Sequence, residues 1–301
     1  MTEESTPVSL DELAAATAAA SEAAATPAEP ATTEAPAPPA PAQDALPDPV
    51  PADEANKTYK NSGVVDLVFL VDVTGSMGPC INALRENINH FIDMMTDTTG
   101  NGSPVTDWRA RVVGYRDYPY DGPTSYGWLM DNDFTRDLPT LKAQVAALFP
   151  KGGGPGEEGI PESLLDAMMV VATAGKIDLQ GGDSEENSKK WRPDGTAARI
   201  VIVFTDATYH PTMSIPGYEG AGVRDLFNVY NQEHIKPYFF VPADPSYVIL
   251  GRFKGAILTQ CGEGSDGLIS VTSDRAKFAE LLERLAKGVS QSASAQVRIQ
   301  L

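Results

Sequence analysis

Basic side chains are scarce in this 301-residue chain: 23 Lys and Arg stand against 41 Asp and Glu, a formal net charge of −18. Phosphate backbones and anionic lipid surfaces are gripped by clustered cations, so the balance argues against nucleic acid and membrane as main partners. Cysteine is almost missing. Cys80 and Cys261 offer neither a disulfide framework nor zinc spacing, and His90, His210 and His234 are scattered without ligand spacing. No apolar run approaches the roughly 20 residues that a bilayer crossing requires. The start, Met1-Thr2-Glu3-Glu4, is acidic and lacks the apolar segment of a secretory signal. A reduced, cytoplasmic protein is the expectation. A Gly-Lys-Ser or Gly-Lys-Thr phosphate loop and a nucleophile elbow are also lacking.

Aromatic and branched residues are rare in residues 1–62, whose 11 acidic and 2 basic side chains carry half of the net charge. Such a segment buries too little apolar surface to offset the entropy of ordering, so 1–62 is expected to be a disordered acidic Ala/Pro-rich tail. Ser9-Leu10-Asp11-Glu12 has capping-box spacing ahead of an Ala-rich run. A short helix over 9–26 follows, either solvated or docked on a partner. The Ala-Pro and Pro-Pro steps from Pro27 to Pro51 suit an extended tether.

Beyond the tail the pattern changes. Val64 to Val71 is apolar except for Asp66, which predicts a strand buried on both faces. Met77, Ile81, Leu84, Ile88, Phe91 and Met95 then recur at helical spacing. Strands are predicted over Asp107–Tyr115, Tyr126–Met130, Ile200–Phe204, Tyr238–Val241 and Gly267–Val271. Helices are predicted over Leu138–Phe149, from Pro161, from Val223 to Tyr230, and from Phe278 to Val289 with Ser273 as N-cap. This alternation implies a Rossmann-like, doubly wound α/β domain over 63–289 with a mostly parallel sheet flanked by helices. Residues 290–301 are a C-terminal extension and a candidate edge strand.

Ligands of such folds bind beyond the C-terminal ends of the strands. Two strands there end on acids, Asp72 and Asp206. Asp72, Thr74 and Ser76 put a carboxylate and two hydroxyls on one turn before a helix, an oxygen corner suited to a hard cation. Capping of the following helix is the simpler alternative for the two hydroxyls.

Asp72-Val73-Thr74-Gly75-Ser76-Met77, with the distant Val201-Ile202-Val203-Phe204-Thr205-Asp206, resembles the von Willebrand factor A (vWA) domain, in a bacterial DxTGSM/GYRD-type subgroup. The resemblance implies a metal-ion-dependent adhesion site (MIDAS) of Asp72, Thr74 and Ser76, with Asp206 acting through water. Mg²⁺ suits these oxygens best, and Mn²⁺ or Ca²⁺ can substitute. The family's middle-loop threonine has no counterpart in Gly152 to Glu162. The resemblance points to Glu158, or else Glu157, in its place; a helix-start role is the alternative for both. Gly114-Tyr115-Arg116-Asp117-Tyr118-Pro119 resembles the GYRD element. Arg116 there either holds Asp72, Glu158 or an anionic ligand, or pairs with Asp117 at the surface. Tyr209, His210, Met213 and Tyr218 follow Asp206 and suit partner contact or loop packing.

The leading expectation is a non-enzymatic, metal-dependent protein-interaction module, an adaptor or scaffold tethered by its acidic arm. The resemblance extends its partners to assemblies linked to AAA+ ATPases. A metal-dependent hydrolase or phosphotransfer enzyme, with Glu158 or Asp117 as base, is the second reading. A structural subunit of a larger assembly, joined through the C-terminal strand, is the third.

Overall fold

Two apolar runs that bury both faces set the architecture. The computed structural model describes residues 57–60, 63–97, 105–154, 161–178, 184–185, 188–262, 264–294 and 296–299. The expected helix at 9–26 and the tether at 27–51 lie outside them. In chain order the strands are Lys57–Lys60 (β1), Val64–Asp72 (β2), Asp107–Tyr115 (β3), Leu129–Asp131 (β4), Ala198–Phe204 (β5), Ile235–Val241 (β6), Ile257–Gln260 (β7) and Gln296–Ile299 (β8). The helices are Gly78–Thr96 (α1), Tyr118–Asp121 (α2), Leu138–Ala147 (α3), Leu164–Ala172 (α4), Val223–Gln232 (α5), Tyr247–Leu250 (α6), Gly264–Ser273 (α7) and Arg275–Ser294 (α8).

Six strands form one mixed sheet in the order β4-β3-β2-β5-β6-β7. All neighbours are parallel except β4, which runs antiparallel along β3 at one edge. The period of two along each strand divides its side chains between two cores. Val65, Leu67, Phe69 and Val71 pack with the apolar stripe of α1 (Ile81, Leu84, Ile88, Phe91) and with Phe278, Leu282 and Val289 of α8. Val68 and Leu70 face the other way, against Leu164, Leu165 and Met168 of α4 and Leu226 and Tyr230 of α5. Helices on both faces explain why β2 and β5 read as nearly continuous apolar runs.

Along β2 and β5 that second face is apolar only in its middle, whereas β3 places fully buried Arg111 there, in register with Val68. In register across β3, β2 and β5, Arg109, Asp66 and Arg199 form a polar layer where the strands begin. Asp66 is fully buried and accepts from Arg109 Nε at 2.8 Å and Nη2 at 2.7 Å, and from the Arg192 amide at 2.9 Å. This explains the one charged residue in the first apolar run: it is paired as soon as β3 docks. Asp72 and Tyr115 occupy the opposite, C-terminal end of the face.

Several elements differ from the sequence pattern. Pro161 does not open a helix; Glu162 is extended and bridges Tyr209, and α4 begins at Leu164. Gly267–Val271 belongs to helix α7, where Leu268 is buried against the α1/α8 core, and the edge strand is β7. A short apolar run does not itself separate strand from helix. Asp274, rather than Ser273, caps α8, its Oδ1 accepting from the amides of Ala276 (3.0 Å) and Lys277 (3.2 Å). β8 pairs antiparallel with β1 in a separate two-stranded sheet, so a strand partner comes from within the segment read as tail. Among the described residues no helix is long and apolar enough to cross a membrane.

The Asp66 layer yields a stability test. Asp66→Ala leaves the Arg109 guanidinium buried without its carboxylate, and the loss expected in urea denaturation is about 3–5 kcal/mol.

Candidate functional site

β2 delivers Asp72 to the end of the sheet fully buried, and the chain then turns through extended Thr74 into a short 3-10 turn, Gly75–Met77, ahead of α1. Asp72 Oδ1 accepts from the Thr74 amide (2.9 Å) and hydroxyl (2.6 Å). Its Oδ2 accepts from the Thr205 hydroxyl (2.7 Å), which arrives from the end of the neighbouring strand β5. The Thr74 side chain makes no capping bond to the turn that follows it and is turned back to Asp72 instead, which removes the simpler alternative for this hydroxyl. Asp206 follows Thr205; it is 5% exposed, and its Oδ2 has no hydrogen-bond partner.

Two buried carboxylates this close suppress each other's ionisation. Burial, then the charge of Asp206, pushes Asp72 up to about 7 against the bonds from Thr74 and Thr205. Burial also raises Asp206, while the nearby Ser76 hydroxyl opposes the rise.

A third acid, Glu162, stands beside them and was missed by the sequence reading. It is 3% exposed, and its Oε2 lacks a partner. Burial, followed by Asp72, Asp117, Asp121 and Asp206, pushes it up to about 10. Its position depends on pairing with the loop after β5: its amide donates to the Thr208 carbonyl (2.9 Å), and the His210 amide donates to its own carbonyl (3.1 Å). The loop Gly152-Gly153-Gly154 closes over it with φ of +82°, +92° and +85°. The Gly153 amide donates to Asp121 Oδ2 at 3.0 Å. A Cβ on Gly153 would sit 2.8 Å from both Glu162 Oε1 and Thr74 Cβ, so glycine is required there by approach as well as by φ. Glu157 and Glu158 lie outside the described residues. The signal available for Glu162 was its place after the glycine run, where it reads as a first-turn helix acid.

The other expected residues take different places. Arg116 is fully buried and binds neither Asp72 nor a surface acid; it donates to the carbonyls of Lys151 (2.6 Å), Phe149 (2.6 Å) and Gly127 (3.1 Å). Asp117 is also buried, its Oδ1 accepting from Ser163 Oγ (3.1 Å) and lying 2.9 Å from His210 Nε2. This carboxylate raises His210. Tyr209 and Met213 are buried in the second core rather than offered to a partner. The reason is Asp166, whose Oδ1 accepts from the amides of Ser214 (2.7 Å) and Ile215 (2.9 Å) and folds the loop inward. Tyr218 is half-buried against the same core.

Among the described residues, no three His, Cys, Asp or Glu side chains form a metal-binding group. The oxygen donors at this corner are instead mixed: Asp72 and Asp206 with the hydroxyls of Thr74, Ser76 and Thr205. Unpartnered oxygens on buried, mutually repelling acids favour uptake of a proton or a cation.

The raised acids set a direction with pH. The unfolded chain loses these protons first, so with chelator present stability is greatest below about pH 4 as far as these groups act. It falls as pH rises through 7 for Asp72 and onward toward 10 for Glu162. Urea midpoints across this range should fall less steeply in Asp72→Asn than in wild type.

No family model matches the chain. Over 191 residues it is 27% identical to the alpha-protein kinase vwkA of Dictyostelium discoideum, taking in 61% of this chain and 26% of that protein. The chain thus spans about a quarter of the relative's length. The expectation of a non-enzymatic protein is corrected by this match, because the relative is a protein kinase.

Proposed function

We propose that this chain is a cation-dependent protein-docking domain of the von Willebrand factor A type, with its binding face at the C-terminal end of the sheet. The observation that carries the reading is the buried Asp72–Asp206 corner, where Asp206 Oδ2 is unpartnered and three hydroxyls stand alongside. Asp72, Thr74, Ser76 and Asp206 would hold the ion, with Mg²⁺ the best match to hard oxygen donors and Mn²⁺ or Ca²⁺ able to replace it. A bound cation would supply charge that offsets the two acids and a coordination position for a carboxylate of a protein partner. Glu162 adds negative charge beside the corner, which favours retention of the ion over capture of an acidic partner. A scaffold role in a larger assembly, including one linked to an AAA+ ATPase, is consistent with this.

The likeness to a protein kinase supports a second reading, phosphoryl transfer at the same cation. It shares the ion with the first and differs in turnover.

Isothermal titration with Mg²⁺ and Mn²⁺ tests both. Wild type should bind one ion saturably, and Asp72→Ala and Asp206→Ala should weaken binding by about tenfold or more. Negligible heats with wild type would end the cation reading. ATP-dependent phosphate transfer that is present in wild type and lost in Asp206→Ala would establish the second reading.

A further inference from the structure

Two tyrosines tie the short helix α6 to the loop after β5, in opposite directions. Tyr247 of α6 donates from its hydroxyl to the carbonyl of Ala207 in the loop at 2.5 Å. Tyr209 of the loop donates to the carbonyl of Ser246, the residue before α6, at 2.6 Å. Their rings meet edge to face with centroids 5.2 Å apart. Tyr247 is fully buried, and a buried phenol needs an acceptor for its proton. The acceptor it takes belongs to the residue that follows Asp206.

Ala207 is held on its other side as well. Its amide donates to Thr205 Oγ1 at 3.2 Å, and the Thr205 hydroxyl donates in turn to Asp72 Oδ2 at 2.7 Å. A hydroxyl has a single proton to give. With the Ala207 amide on a lone pair of Thr205, that proton is directed to Asp72 and fixes Oδ2, while Thr74 fixes Oδ1 independently. The contacts thus run without a break from Tyr247 through Ala207 and Thr205 to the acid that ends β2. The two ends of this chain lie close together: burial, then the charge of Asp72, raises the Tyr247 phenol.

We infer that Tyr247 is a positioning residue of the cation corner: it anchors Ala207, Ala207 orients the Thr205 hydroxyl, and Thr205 holds the Asp72 carboxylate in the orientation in which it meets the ion. The inference rests on the cation reading above and adds a residue one layer behind the ion's ligands. The Tyr247 hydroxyl is committed to Ala207 and is not itself a ligand. Side chains that orient metal ligands in this way are worth about 10–100-fold in metal affinity. Nothing local in the sequence marks the role, because Tyr247 stands 40 residues beyond Ala207 and acts through its backbone.

Isothermal titration of the full chain with Mn²⁺ tests the role. Tyr247→Phe keeps the ring and removes the donor, and it should weaken Mn²⁺ binding by about tenfold. Thr205→Val should weaken it at least as much, and Thr205→Ser, which restores the hydroxyl, should recover most of the affinity. In the double variant Tyr247→Phe/Thr205→Val the loss should match that of Thr205→Val alone, because the tyrosine acts through the threonine. Tyr230→Phe also takes a buried hydroxyl from a backbone carbonyl, that of Met168 at 3.3 Å, and should leave Mn²⁺ binding unchanged. The loss in Tyr247→Phe should persist in sucrose, which favours the folded state. Wild-type affinity in Tyr247→Phe, additive losses in the double variant, an equal loss in Tyr230→Phe, or recovery in sucrose would overturn the positioning role and leave the cation reading standing. A wild type that takes up no Mn²⁺ would overturn both.

Discussion

The hydrogen bond from the Thr205 hydroxyl to Asp72 joins the ends of the two central strands and decides what the end of the sheet can do. β2 and β5 are buried on both faces along their length, so polar side chains on their shared face are confined to its two ends. At the start of the strands, Asp66 is matched by guanidinium groups and is satisfied. At the other end, carboxylates meet carboxylates. Asp72, Asp206 and Glu162 are all raised, and two of them keep an oxygen without a partner. One end of the face is therefore a structural clamp, and the other is a place of unspent electrostatic demand.

The loops around that end divide the same labour. Arg116 and Asp166 are both buried charges spent on backbone: one holds three carbonyls, the other accepts two amides. They shape the rim without contributing charge to a ligand. The glycine run is shaped by the opposite need, since Gly153 must approach Thr74 and Glu162 more closely than any side chain permits. Rigid backbone around mutually repelling acids is how a fold keeps a site poised in an arrangement its own charges oppose.

Much of this was legible along the chain. Asp72, Thr74 and Ser76 stand out because an apolar strand that ends on an acid and two hydroxyls is a local pattern, and Asp206 repeats half of it. Glu162 was hidden because its extended conformation comes from pairing with Thr208 and His210, some 46–48 residues away. Arg116 and Asp117 were visible as charges, but their partners are loop carbonyls, Ser163 and His210, none of which adjoins them in sequence. For Tyr209 and Met213 the sequence left partner contact and loop packing open, because burial of a loop is not written in its composition, and their burial decides for packing.

By itself the sequence determined the alternation of strands and helices, the buried character of the central strands and the oxygen corner at Asp72, because periodicity and strand-end position are properties of neighbours along the chain. Tertiary structure alone decided that α7 is a helix, that β7 is the edge, that β8 pairs with β1, and that Glu162 joins the two strand-end acids. Those outcomes depend on long-range pairing and burial, and the electrostatic repulsion that defines the corner arises only when the sheet brings its ends together.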